Sequence, residues 1–527
     1  MQYLPIAKAS PRPTGLSLQE NLANSSYGEK QMMVSKASAS SSRFESWKTI
    51  DWTNVEKQVE KLQMRIAKAT KEKRFGKVRS LQWLLTHSHH AKLLAVKRVT
   101  ENKGGKTPGV DGEVWSTEKQ KMQAASGLKR RGYQPQPLRR IYIPKKDGKK
   151  RPLGIPTIGC RAHQALHKLG LEPVVEVLAD KNAYGFRPKR SCADAIEQCF
   201  KVLCRKRSPN WILEGDIRAC FDKISHQWLL DNTPMDRNML EKWLKCGFIE
   251  LEEFYPTDEG TPQGGIISPT LLTLTLSGLE AKIQAAAKRC EHYSLVTYAD
   301  DFVVSGKSKE LLENKIMPIV SEFLAERGLT LSDKKTLITH IDEGFDFLGF
   351  NIRKYKGTLI IKPSKKSVKA FLAKIRATIN RNKTSKTEKL IHILNPKIRG
   401  WVNFFRHVCS KKTFSYVDHC IYKALWDWAK RRHPNRSRRW VWRKYLSDPA
   451  TNNGVLTTRV AGKPVSIFPA ASIPIQRHIK IKMDANPYDK TYTEYFKTRE
   501  GRKKQQRSQA SLSRKTGLAI DAGLRKA

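Results

Sequence analysis

Nowhere in this chain do two cysteines form a C-x-x-C pair. The nine cysteines are odd in number and scattered, so no zinc site and no disulfide framework is expected; they read as reduced thiols serving as core or surface fillers in an intracellular protein. Acids are scarce as well, 49 against 99 basic residues, for a formal net charge of +50. That imbalance calls for a polyanionic partner, nucleic acid in preference to a membrane. Long apolar runs are missing too. Gly260 to Leu279 carries no charge, but Pro262, Pro269 and its Gly, Ser and Thr residues make it too polar and too broken to span a bilayer. It reads as a loop feeding a buried helix. The N-terminus lacks a compact apolar stretch followed by a small-residue cleavage site, so no secretory signal is expected and the cytoplasm is the expected location.

What is present divides naturally. A chain of 527 residues, 39% hydrophobic, is too long for one core and can fill about three or four. Residues 1–46, with "KASASSS", read as a flexible leader. Residues 47–100 read as a basic helical module, with Val55, Val59, Leu62 and Ile66 at helical spacing. His87, His89 and His90 cluster there without cysteine or acidic partners, and read as surface or RNA-facing side chains. "KGGKTPGVDGEV", Lys103 to Val114, is glycine-rich but matches no phosphate-loop spacing. "IYIPKKDGKKRPLGIP", Ile141 to Pro156, reads as a hairpin turning at Asp147-Gly148. A basic hairpin is usually a solvated edge; here Lys145 and Arg151 could instead grip a triphosphate, one as a point charge and the other as a bidentate fork.

The scarce acids fall in telling places. In "SLVTYADDFVVSG", Asp300 and Asp301 sit between two strand-like runs, at the tip of a hairpin. Taken alone, an Asp-bearing turn is the commoner explanation; the alternative is a seat for a divalent cation, which prefers carboxylate oxygens. "WILEGDIRACFDKISH" repeats the pattern, an apolar strand ending at Asp216, where a strand interior would disfavour aspartate. Three carboxylates on strand ends are the constellation that two-metal phosphoryl transfer requires, with ions about 4 Å apart.

Six stretches then occur in order: "RPLGIP", "YGFRPKRSCADAI", "EGDIRACFD", "GTPQGGIISP", "YADD" and "FDFLGFNI". From about residue 50 to about residue 497 the chain resembles the group II intron-encoded proteins, the bacterial reverse transcriptase and maturase family. The resemblance implies an α+β right-hand polymerase, with fingers and an antiparallel palm sheet over 101–360. A helical thumb/maturase domain over 361–446, a small DNA-binding region over 447–496 and a basic disordered tail over 497–527 would follow. It implies two Mg2+ ions held by Asp216, Asp300, Asp301 and the Ile217 carbonyl. Phe221 would form a ring beneath the sugar that excludes a 2′-hydroxyl; spacing alone would make it an ordinary core aromatic. Gln263 would lie against the templating pair. Lys335 would protonate departing pyrophosphate, a disputed role for which a plain surface lysine is an equal reading. Leu348-Gly349 would belong to a primer-positioning hairpin.

Past the palm, Val368, Phe371, Leu372, Ile375 and Ile379 mark one face of an amphipathic helix. "KRRHPNRSRRWVWRK" holds eight Lys or Arg among fifteen residues. A charge run is usually a solvated face, but interleaved aromatics favour RNA. The nucleic-acid candidates are therefore Arg431, Arg432, Arg436, Arg438, Arg439, Trp440 and Trp442, with Arg477, Lys480 and Lys482 further on. From Lys497 onward ten basic residues face two acids, which predicts disorder until nucleic acid binds. No cysteine follows Cys420, so the resemblance is to the form lacking a His-Asn-His endonuclease, and no second-strand cleavage is expected. The resemblance implies as partners the intron RNA, target DNA and deoxynucleotides, and no membrane; oligomeric state is not legible. A maturase-only splicing factor with a relict polymerase site, or a domesticated reverse transcriptase in phage defence, are the rival readings.

Overall fold

The computed structural model describes residues 46–144, 148, 150–287, 291, 293–448 and 454–506. Lys145 and Asp147 lie outside the described residues, as do residues 1–45 of the expected leader and 507–527 of the expected tail.

Three helices, Trp52–Lys71, Phe75–His87 and His89–Thr100, open the described chain. Asp51 caps the first by accepting from the Asn54 N–H at 3.1 Å. Its stripe of Val55, Val59 and Ile66 is buried, with Leu62 half-buried beside it. This module docks on the helix Ile158–Leu178, whose interior Pro173 has no N–H to offer the Leu169 carbonyl. Gln63 Nε2 supplies the donor at 2.9 Å, and Gln82 Nε2 donates to the Gly170 carbonyl at 3.1 Å. Buried carbonyls need partners, so these two glutamines fix the module on that helix.

In chain order the strands are β1 (Leu138–Pro144), β2 (Lys150–Ile155), β3 (Trp211–Asp216), β4 (Phe248–Glu250), β5 (Glu253–Tyr255), β6 (Ser294–Tyr298), β7 (Asp301–Gly306), β8 (Leu337–His340), β9 (Phe345–Phe347), β10 (Phe350–Tyr355), β11 (Thr358–Pro363), β12 (Thr457–Val460) and β13 (Lys463–Ser466). They form four sheets among the described residues, ordered β2-β1-β4-β5, β6-β7-β3-β8, β11-β10-β9 and β12-β13. Mixed with the helices, they make an α+β arrangement. The central sheet, β6-β7-β3-β8, is antiparallel throughout. Ile212, Leu213, Val303 and Val304 of its two inner strands are buried, which explains why their sequences are near-continuous apolar runs. No helix among the described residues is long and apolar enough to cross a membrane.

Ser364 caps the helix Lys365–Arg381 by accepting from the Ser367 N–H at 3.1 Å, and the apolar face Val368, Phe371, Leu372, Ile375 and Ile379 is buried. Helices Thr387–Phe405, Lys411–Arg431 and Arg438–Leu446 complete this region, and their buried side chains share one core with the residues of β9 to β11. The hairpin β12–β13 is pinned to it through Asn395, which donates to the Ser466 carbonyl at 3.0 Å and accepts from the Phe468 N–H at 2.8 Å.

One expectation is corrected here. The tail was expected to be disordered from Lys497; instead residues 493–506 are helical. Arg499 is 5% exposed, its guanidinium donating to the buried carboxylate of Asp194 at 2.8 Å. Composition predicted solvation because the tail is so basic, but one of its arginines meets an acid 305 residues away.

Candidate active site

β3 ends at Asp216, and its register partner across the central sheet is Asp301, the first residue of β7. Between β6 and β7 the chain turns through Ala299, held at φ 59°, and Asp300. Asp300 therefore occupies the tip, while Asp301 already pairs with Tyr298. The three carboxylates expected from the sequence stand on two neighbouring strand ends. Loss of solvent and then the Asp216 charge raise the Asp300 pKa, opposed by Arg151 and Lys335. At Asp301, loss of solvent followed by the charges of Asp300 and Asp216 pushes the carboxyl up to about 6, with Lys335 pulling the other way. By surface area Asp301 still has an exposed edge. The Lys335 ammonium donates to Asp216 Oδ2, and that bond is the main reason its own pKa is raised.

Ile217 forms an isolated bridge with Leu331. The hydrogen bonds flanking it run from the Arg218 N–H to the Thr330 carbonyl and from the Ser332 N–H to the Asp216 carbonyl, each 2.9 Å. Neither consumes the Ile217 carbonyl. Phe221 lies in the short helix Cys220–Lys223 that follows, half-buried, with the exposed Phe186 ring 6.2 Å away. Gln263 Nε2 donates to both carboxylate oxygens of Asp222 at 3.0 Å. The loop bearing Gln263 is also held by the Thr261 N–H on the Phe221 carbonyl at 2.6 Å and by His226 Nε2 against the Gly260 carbonyl at 2.7 Å. A Cβ on Gly264 would stand 2.1 Å from the Gly154 carbonyl oxygen, so only glycine lets this loop rest on β2. Arg151, exposed on that same strand, is near enough to act on Asp300. Asp222 was missed in the sequence, although it stands six residues after Asp216 in the same quoted stretch.

The basic candidates lie elsewhere. Arg431, Arg436, Arg438 and Arg439 are exposed. Arg432 is engaged internally, donating to the Ser385 carbonyl at 2.5 Å with its guanidinium 4.7 Å from the Trp428 ring. Trp440 and Trp442 are half-buried against the core, and Trp440 is flanked by Arg436 at 5.4 Å and Lys444 at 4.7 Å. Arg477 is exposed at a cavity of about 700 Å³ that Arg406, His478 and Lys503 also line. Lys480 is half-buried, and burial followed by the charge of Lys201 brings its pKa down to about 8. Lys482 is exposed, its ammonium 5.2 Å from the Tyr495 ring.

Comparison with known proteins gives this geometry a family. Residues 143–352 match the family model described as reverse transcriptase (RNA-dependent DNA polymerase), and residues 47–128 match the N-terminal domain of reverse transcriptase. Residues 368–446 match the group II intron, maturase-specific domain. Protein YkfC of Escherichia coli K12 is 31% identical over 307 residues, covering 49% of this chain and 80% of that protein. Group II intron-encoded protein LtrA of Lactococcus lactis subsp. cremoris is 30% identical over 329 residues, covering 49% of this chain and 54% of LtrA. The chain belongs to the group II intron-encoded protein family. It spans about half the length of LtrA. Telomerase from Candida albicans overlaps 56% of this chain and 58% of its own at 14% identity, with a TM-score of 0.35 that bears no weight.

Reverse transcriptases generally use divalent metal ions. Among the described residues no group of three or more His, Cys, Asp or Glu is gathered tightly enough to hold one alone. The donors at hand nonetheless suit a hard cation in this intron-encoded protein: Asp300 and Asp301 stand close enough to the Asp216 charge for it to raise the pKa of both, and an ammonium is already drawn to Asp216. Mg2+ is commonly held by one or two carboxylates, with water and substrate phosphates completing its shell.

Proposed function

We propose that this chain is an RNA-directed DNA polymerase and maturase of a group II intron, working in the cytoplasm. It would bind the intron RNA to assist splicing and reverse splicing, and copy it into cDNA for retrohoming. The observation that carries this reading is the facing of Asp216 and Asp301 across β3 and β7, with Asp300 on the turn between β6 and β7, in a chain that also matches the maturase-specific domain. The sheet β6-β7-β3-β8 is then the palm, the sheet β2-β1-β4-β5 belongs to the fingers, and the helices from Lys365 to Leu446 form the thumb.

In this reading Asp216, Asp300, Asp301 and the Ile217 carbonyl hold two Mg2+ ions, which when bound supply activation of a primer 3′-hydroxyl and stabilisation of the leaving oxygen. Arg151 and Lys145 hold the triphosphate of the incoming deoxynucleotide. Phe221 presses against the sugar and excludes a 2′-hydroxyl, while Asp222 orients Gln263 beside the base pair. Lys335 keeps a proton at its Nζ until pyrophosphate departs, and its bond to Asp216 must open before the site is loaded. Arg431, Arg436, Arg438 and Arg439 take RNA phosphates at the thumb, and Arg477, Lys480 and Lys482 contribute towards target DNA.

The test is the double change Asp300→Ala with Asp301→Ala, assayed for primer extension on an RNA template and for splicing of the intron RNA. Loss of extension with splicing assistance retained supports both activities. Extension by the double variant overturns the site. The alternative, a maturase-only splicing factor, predicts no extension by the unaltered chain.

A further inference from the structure

A second carboxylate centre lies apart from the proposed catalytic one. Asp194, in the first turn of the helix Cys192–Leu203, has no solvent exposure. Its Oδ1 accepts from His478 Nε2 at 2.9 Å, the Ile481 N–H at 2.7 Å and Arg499 Nη2 at 2.8 Å, and its Oδ2 accepts from Ser191 Oγ at 2.6 Å. Three of the four donors come from residues 478–499, nearly 300 residues along the chain.

The same C-terminal stretch clasps segment 181–190. Arg499 Nη1 donates to the Lys189 carbonyl at 3.3 Å, and Lys189 pairs with Glu500 at 2.7 Å. Arg190 Nη2 donates to the Met483 carbonyl at 2.8 Å, and Lys181 pairs with Asp484 at 2.8 Å. On its inner side this segment is rigidly held. Arg187 forks onto Glu176 with two bonds of 2.8 Å between side chains that are almost wholly buried. The segment then meets the catalytic hairpin directly. The Tyr184 N–H donates to the Thr297 carbonyl, and the Thr297 N–H to the Asn182 carbonyl, each at 3.0 Å, so Ala183 pairs with β6. Gly185 lies so close under the turn that a Cβ there would stand 2.2 Å from the Ala299 nitrogen. Ala299 immediately precedes Asp300.

We propose that residues 478–500 act as a strap that sets the catalytic turn: Asp194, His478 and Arg499 are positioning residues that hold segment 181–190 against Ala299 and so fix where Asp300 and Asp301 stand. This inference rests on the polymerase reading of those aspartates. Its physical basis is simple. Two carboxylates on one turn repel each other, and a turn with nothing packed beneath it relieves that repulsion by opening. A platform braced from behind by a strap, and joined to β6 by two backbone hydrogen bonds, resists the opening. Displacement of a reacting group by about 1 Å can cost on the order of a hundredfold in rate.

The experiment uses the full chain carrying Arg499→Gln, and reads hydrogen exchange of the amides of residues 298–301 beside primer extension. Exchange at these amides should quicken by roughly tenfold or more, while those of Ile212 to Glu214 in the sheet interior keep their rates. The turnover number should fall about ten- to a hundredfold, with little change in the KM for deoxynucleotide or in affinity for the intron RNA. Arg499→Lys should recover part of the loss. Should Arg499→Gln fail to fold, His478→Asn removes one donor and should move the same amides in the same direction by less. Unchanged exchange at 298–301, or faster exchange spread evenly over the whole central sheet, overturns the proposal. An unaltered chain without polymerase activity would defeat the polymerase reading, yet the exchange comparison would still decide whether the strap sets the turn.

Discussion

Asp194 and Asp301 are the same residue type, and burial acts on both to raise the pKa, but the outcomes are opposite. At Asp194 hydrogen bonds from His478, Ser191 and Ile481 overcome burial and hold the carboxyl well below the usual range. At Asp301 the neighbours are Asp300 and Asp216, and the carboxyl rises to about 6. A carboxylate surrounded by donors ties chain segments together. One surrounded by like charge and left partly open has a deficit of positive charge, which Lys335 only partly meets. The difference separates an acid that serves the fold from one that, in the proposed function, serves chemistry.

That comparison can be broken or sharpened in several ways. The largest effect is expected from Asp300→Ala with Asp301→Ala, which should abolish primer extension and leave splicing assistance largely intact; unfolding of the variant by circular dichroism would show that these acids also hold the central sheet. Next is Asp194→Ala, expected to cost about 3–5 kcal/mol of stability because it leaves the buried Arg499 without its acid. Denaturant titration checks this, and a cost below that of an ordinary surface change would remove the contrast. Phe221→Val should raise ribonucleotide incorporation relative to deoxynucleotide, measured by competition on one template; an unchanged ratio would return Phe221 to the core. Neutralising Arg438 and Arg439 should weaken RNA binding and lower the salt slope by roughly one per lost phosphate contact. The smallest effect concerns pH. An acid whose pKa is raised on folding destabilises the folded chain above that pKa, and this destabilisation fades as pH falls through about 6 towards the unfolded value. In chelator, Asp301→Asn should therefore raise the Tm at pH 8 more than at pH 5, and an equal or reversed difference would show that like charge is not what sets this residue.

Much of the central sheet was legible because it is local. The strands around Asp216 and around Asp300 could be read from apolar runs, and the helix Lys365–Arg381 from its period, since pleat and helix impose those spacings on contiguous residues. The basic run was legible only as composition. Folding divides it: Arg438 and Arg439 face solvent, whereas Arg432 is bound to the Ser385 carbonyl and Trp440 is flanked by cations of its own chain. Nor did any periodicity announce that Gln63 would serve a carbonyl that Pro173 leaves unpaired, or that Asp222 would hold Gln263. The helix at 493–506 was concealed by its own charge, because disorder is the right expectation for a basic segment until an acid elsewhere neutralises part of it.

By itself the sequence determined the kinds of side chain available: a large excess of positive charge, three aspartates at strand ends, and the apolar runs that flank them. Tertiary structure alone decided which aspartates became neighbours, which was wrapped in donors, and that Arg499 meets an acid 305 residues away. The reason is that a carboxylate's behaviour is set by distance to other charges and by access to water, and neither is fixed until the chain has folded.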